Sequence, residues 1–152
     1  MIQRKQTVYL LIAAVLNIIC LCLPIGRFVP ETMGMPSEMF NLWIASGDGG
    51  RDFSVWALFA ILLVSCPIAL FAIFLYRNRR LQARMCLFNM VLLLGWLIVY
   101  SIFAFTKGGE LHSEFVPEIA ACLPFVSIVM HFLAHKGIIA DERLVRSMDR
   151  IR

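Results

Sequence analysis

Residues 77–84, RNRRLQAR, place four arginines in eight positions between two apolar runs, each long enough to cross a bilayer. Such a short cationic connection stays on the cytoplasmic side, because Lys and Arg near helix ends set orientation. Once that connection is fixed inside, every other segment acquires a side. The 152 residues are 61% hydrophobic, against roughly 45–50% apolar in soluble chains. The charges also sit in blocks between uninterrupted apolar stretches. Both features point to a polytopic membrane protein of one small domain, residues 1–152.

Four spans follow, at about 7–27, 53–76, 85–105 and 117–135, with a cytoplasmic tail over 136–152. The first begins after the basic Arg4 and Lys5. It is too long for a signal h-region and ends in LCLPIGRF without a small-residue cleavage site, so it reads as a retained helix. Bulky Ile19 before Cys20 argues against a lipoprotein signal. Pro67 inside the second span releases the carbonyl of Leu63 and predicts a kink. Pro117 is expected in the first turn of the fourth helix. In the tail, Leu144, Val145, Met148 and Ile151 recur at helical spacing and predict a short amphipathic helix under the membrane.

The segment from Gly26 to Asp52 carries two basic and four acidic residues, which suits the outer side. Its prolines and the cluster Gly47, Asp48, Gly49, Gly50 mark turns, and a hairpin and a helical turn both fit. The loop from Thr106 to Glu118 holds one Lys against Glu110, Glu114 and Glu118. Eleven of the fourteen Lys and Arg fall in the three segments expected inside, which puts both termini in the cytoplasm. The net charge of +4 is therefore read as facing anionic lipid headgroups, with no nucleic-acid partner.

Chemistry-bearing residues are sparse. His131 and His135 stand four apart and share a helix face, the spacing of paired metal ligands, but no further ligand completes a site. They are expected near the cytoplasmic end of the fourth helix, with His131 bonded to a neighbouring helix or reaching the headgroups. Cys20, Cys22, Cys66, Cys86 and Cys122 lie in the spans without a C-x-x-C pair, and Cys22 with Cys122 is the one pairing considered. Asn17 is read as the one amide in the middle of a span, making a single interhelical hydrogen bond or lining a path past the Pro67 kink. Glu110, His112, Glu114 and Glu118 form an acidic cluster, read as solvated rather than as a cation site.

The opening MIQRKQTVYLLIAA, the close DERLVRSMDRIR and the intermediate FLYRNRRLQARMCLFNMVLLLG resemble the bacterial membrane-protein family called domain of unknown function 4293. The resemblance spans roughly the whole chain. It implies a small four-helix inner-membrane protein and brings no activity, cofactor or catalytic residue with it. The similar segments, Gln3 to Thr7, Arg77 to Arg84 and Asp141 to Arg152, are all ones expected inside.

The expected fold is an all-α, four-transmembrane-helix bundle with an amphipathic C-terminal helix. The expected function is that of a non-enzymatic accessory or scaffold protein, without a cofactor. It contacts the lipid bilayer, a protein partner or a second copy through Arg77, Arg79, Arg80, Arg84, Arg143, Arg146 and Arg150. The rival reading is a carrier of metal, haem or quinone using His131 and His135.

Overall fold

The computed structural model describes residues 3–30, 34–47, 49–75, 78–111 and 113–149. Four helices dominate: α1 (Gln3–Cys22), α2 (Trp56–Phe74), α3 (Arg79–Glu110) and α4 (Leu123–Asp149). All four are long and apolar enough to cross a membrane. In α1 an unbroken helix-compatible run continues until Pro24 stops it. α3 is about 48 Å long at 1.5 Å per residue, well beyond a hydrocarbon core of about 30 Å. Each helix packs on two others, α1 on α2 and α4, α3 on α2 and α4, so consecutive helices are neighbours around a four-membered ring.

The fold is not all-α. The segment left open between hairpin and helical turn is a meander of four strands, β1 (Gly26–Pro30), β2 (Ser37–Met39), β3 (Ile44–Ala45) and β4 (Arg51–Asp52). A fifth strand, β5 (Ser113–Pro117), joins β1, giving an antiparallel sheet in the order β4-β3-β2-β1-β5. Pro117 therefore closes a strand, pairing with Gly26, and does not open a helix. A 3-10 turn at Ile119–Cys122 leads into α4, whose early proline is Pro124. The tight seat of Gly26 explains its identity: a Cβ there would run into the Phe115 ring. Gly49 takes a left-handed φ of 82° in the turn before β4.

Two other expectations change. The tail forms no separate helix; the residues from Lys136 to Asp149 continue α4 without a break. Among the residues expected to be loop, those from Arg79 to Arg84 are the first turns of α3. Good helix formers such as Leu81, Gln82 and Ala83 carry the helix back toward the connection.

The interior has two apolar clusters. One lies at the sheet end and includes Trp96, Phe28, Met39, Leu58, Leu62 and Leu93. The other, at the arginine end, is built from Leu10, Ala72, Ala83, Cys86, Ala134 and Ile138. Its small side chains let the backbones approach closely, as at membrane helix interfaces. Meanwhile Leu11, Val15, Ile18, Leu63, Phe71, Leu87, Phe88, Val91, Ile98, Phe105, Phe125 and Phe132 are exposed on the outer faces of the helices.

Candidate functional site

Between the two apolar clusters lies a layer of polar side chains, one or two from each helix. Asn17 (α1), Ser65 (α2), Asn89 (α3), and Ser127 and His131 (α4) are all fully buried. Their hydrogen bonds have a fixed direction. The His131 Nδ1 lies 2.8 Å from the Ser127 carbonyl oxygen, which can only accept, so Nδ1 carries the proton and Nε2 accepts. Asn89 Nδ2 donates to that Nε2 at 2.8 Å. Ser65 Oγ donates to Asn89 Oδ1 at 2.7 Å and accepts from Asn17 Nδ2 at 3.1 Å. Ser127 Oγ donates to the Ala13 carbonyl at 3.3 Å, which brings the chain back to α1. The Asn17 Oδ1 atom alone is left over, buried and without a partner among the described residues.

This layer joins all four helices through side chains, and it corrects the reading of two residues. Asn17 is not the one mid-span amide, because Asn89 is equally deep. Asn89 is only the fifth residue of a span expected to begin at 85; since α3 starts at Arg79, it lies ten residues into the helix. His131 is likewise at mid-bundle rather than at an end, because α4 continues eighteen residues past it to Asp149. Of the two expected alternatives, a bond to a neighbouring helix or reach to the headgroups, His131 takes the first, with Asn89 as its partner.

At the sheet end, buried Asn41 fastens the meander to the bundle. Its Nδ2 donates to the Cys20 carbonyl at 2.6 Å, and its Oδ1 accepts from Trp96 Nε1 at 3.1 Å. Trp96 stacks on Tyr100, with centroids 5.1 Å apart, and the Tyr100 hydroxyl donates to the Ile25 carbonyl at 2.9 Å. The basic residues here are all engaged: Arg27 with Glu118 at 2.8 Å, Lys107 with Glu110 at 2.7 Å, and Arg51 over the Trp43 ring at 5.1 Å. Asp52 takes bonds from the Ser54 hydroxyl and backbone N–H, which hold its carboxyl below the ordinary carboxylate value. The expected acidic cluster does not gather, since Glu110 and Glu118 go to separate cations and His112 lies outside the described residues.

At the other end, the three segments that carry the family resemblance meet. Gln6 Nε2 donates to Asp141 Oδ2 at 2.7 Å, a buried pair linking α1 to α4. Gly137 makes room for it, since a Cβ there would stand 3.2 Å from Gln6 Cγ. Arg79 reaches the Asp141 carbonyl at 3.4 Å, and Arg80 pairs with Glu142 at 2.9 Å. Gln82 Nε2 donates to the Ala72 carbonyl at 2.9 Å, tying the end of α2 to α3. Of the arginines expected to form a contact face, Arg79 and Arg80 are thus engaged with α4, whereas Arg84 and Arg143 are exposed. Arg77, Arg150 and the side chain of Arg146 lie outside what is described.

His135 Nδ1 lies 3.0 Å from the Ala83 carbonyl, so both histidines of the expected pair turn toward α3. Among the described residues no three of His, Cys, Asp and Glu gather to hold a metal. All five cysteines are free, and the Cys22–Cys122 pairing is not formed. An open pocket of about 410 Å³ lies between α3 and β5; Ala104, Phe105, Gly108, Gly109, Ser113 and Phe115 line it, and none of these described residues is titratable.

Comparison with curated proteins gives no match. The family model described as "Domain of unknown function (DUF4293)" matches residues 2–151. The match covers the sheet as well as the helices, and the chain belongs to that family.

Proposed function

We propose that this chain is an integral protein of the bacterial inner membrane. It crosses four times, with the sheet outside and both termini and the arginine end in the cytoplasm. The observation that carries this reading is the reversed distribution of polarity. The side chains buried at mid-bundle are amides, hydroxyls and an imidazole, while leucine, isoleucine, valine and phenylalanine cover the outside of the helices. In water such a surface is an aggregation liability. In lipid it is the solvated face, and interhelical hydrogen bonds belong inside. The charge division supports the orientation: eleven of fourteen basic residues lie in the arginine-end segments and seven of ten acidic ones in the sheet-end segments.

Within that membrane the protein acts as a non-enzymatic scaffold that offers its arginine end to lipid headgroups or a partner. The polar layer is spent on holding helices together, which suits a framework role. The rival carrier reading ligates through His131 and His135 as a pair, and both His131 nitrogens are already engaged. Alkaline extraction of membranes, followed by native mass spectrometry of the gently solubilised chain, tests the proposal. The expected result is a chain that stays with the bilayer and arrives with lipid or a protein partner bound. Release into the alkaline supernatant, or a stoichiometric metal or chromophore, contradicts it.

A further inference from the structure

The seam between α3 and α4 has a fixed register at the arginine end. Asn89 meets His131 at one level and Arg79 meets the Asp141 carbonyl at another. Arg84 lies midway between the two anchors on α3, and Lys136 midway between them on α4, so the two cations are level. The bond from His135 to the Ala83 carbonyl marks the inward side of the seam one residue earlier. One further residue turns each side chain by about 100°. Because the helices are antiparallel, those turns carry Arg84 and Lys136 to the same outer flank. Both are exposed.

The flank has spent its carboxylates elsewhere. Glu142 is taken by Arg80 and Asp141 by Gln6. Among the described residues neither Arg84 nor Lys136 has an ion pair. Two like charges held on one flank without a counter-charge repel, and an anion placed between them removes the repulsion. One helical turn toward the middle of the bundle, the same flank presents Leu87 and Phe88 from α3 and Phe132 from α4, each about half exposed. Cations at the end of an apolar seam match a ligand with an anionic head and an apolar tail.

We propose that this seam binds an anionic phospholipid, with its phosphodiester between Arg84 and Lys136 and an acyl chain along Leu87, Phe88 and Phe132. The site rests on the membrane reading above and narrows it to one ligand class and one pair of side chains, of which Lys136 was not in the expected contact set.

The test is native mass spectrometry of the full chain, titrated with phosphatidylglycerol and with phosphatidylcholine. Three forms are compared: the wild type, the double variant Arg84→Gln with Lys136→Gln, and the sheet-end control Arg51→Gln. The wild type is expected to prefer the anionic lipid. The double variant is expected to lose that preference by roughly thirty-fold, the worth of two surface cations. The control keeps it, circular dichroism shows equal helicity in all three forms, and excess inorganic phosphate does not displace the lipid. An unchanged preference in the double variant, or displacement by inorganic phosphate, overturns the site. If the chain survives alkaline extraction yet shows no preference, this site falls and the membrane reading stands. If it is extracted, both fall.

Discussion

At the sheet end every basic residue meets a partner within the fold: Arg27 on Glu118, Lys107 on Glu110 and Asp52, Arg51 over Trp43. At the arginine end Arg79 and Arg80 are held by α4, while Lys5, Arg84, Lys136 and Arg143 are exposed with no ion pair among the described residues. The two ends differ in cohesion as well. The sheet end is tied by buried Asn41 and an aromatic stack, the arginine end by small apolar residues and the buried Gln6–Asp141 and Gln82–Ala72 bonds. The cations of one end are thus all taken up within the fold. The other is left open, and that open end is where an external anion has something to offset.

The sharpest way to break this contrast is at Asn41. Asn41→Leu strands the Trp96 N–H and the Cys20 carbonyl in an apolar cluster. Each buried orphan costs about 1–3 kcal/mol, so a loss on the order of 2–4 kcal/mol is expected in a denaturant titration read by tryptophan fluorescence. At the opposite end, Asp141→Ala removes the charged partner of Gln6 and is expected to cost about 1.5–3 kcal/mol by the same measurement. Asp141→Asn, which keeps an acceptor, costs less.

The mid-bundle layer belongs to neither end, and two substitutions there sharpen what it does. Asn89→Leu leaves both Ser65 and His131 short of a partner and is expected to cost on the order of 1–2 kcal/mol. Asn17→Leu gives up one interhelical bond, worth about 0.6 kcal/mol on average. It also removes the one buried side-chain acceptor left unpartnered among the described residues, so the expected change is near zero or slightly stabilising. If Asn17→Leu proves as harmful as Asn89→Leu, the directional order of the layer is wrong.

The smallest effect is a pH dependence at the sheet end. The Ser54 bonds depress the Asp52 carboxyl below its unfolded value. The stability it contributes is therefore complete above the unfolded value and disappears as pH falls through the lower, folded one. Below about pH 4, where ordinary carboxyls protonate, the Ser54 amide resonance is expected to keep moving after exposed carboxyls have finished titrating. A Ser54 amide that follows the bulk carboxyl transition contradicts the bond.

Sequence reasoning reached the four helices because apolar runs of that length have few alternatives once the charges are set aside. It missed the sheet because its strands are two to five residues long and the Gly26–Pro117 pairing joins segments ninety-one positions apart. Alternation in Arg27, Phe28 and Val29 was the available signal, and it is too short to decide anything alone. The polar layer was half legible. Asn17 and His131 stood out against apolar neighbours, whereas Ser65 and Asn89 were hidden, Ser65 beside Cys66 and Pro67 and Asn89 by a helix start placed too late. The proposed contact face stands in the sequence as a block of arginines. Which of them are spent on the fold depended on where Asp141 and Glu142 land, and that is set by the unbroken continuation of α4.

The orientation of the two ends is tested most directly by single-cysteine labelling in intact cells. With the five native cysteines replaced by serine, Gly50→Cys marks the turn of the sheet and Arg143→Cys marks the arginine end. A membrane-impermeant maleimide is expected to label the cysteine at position 50 from outside, and the one at position 143 only after permeabilisation. Labelling of position 143 from outside, or of both positions, contradicts the account.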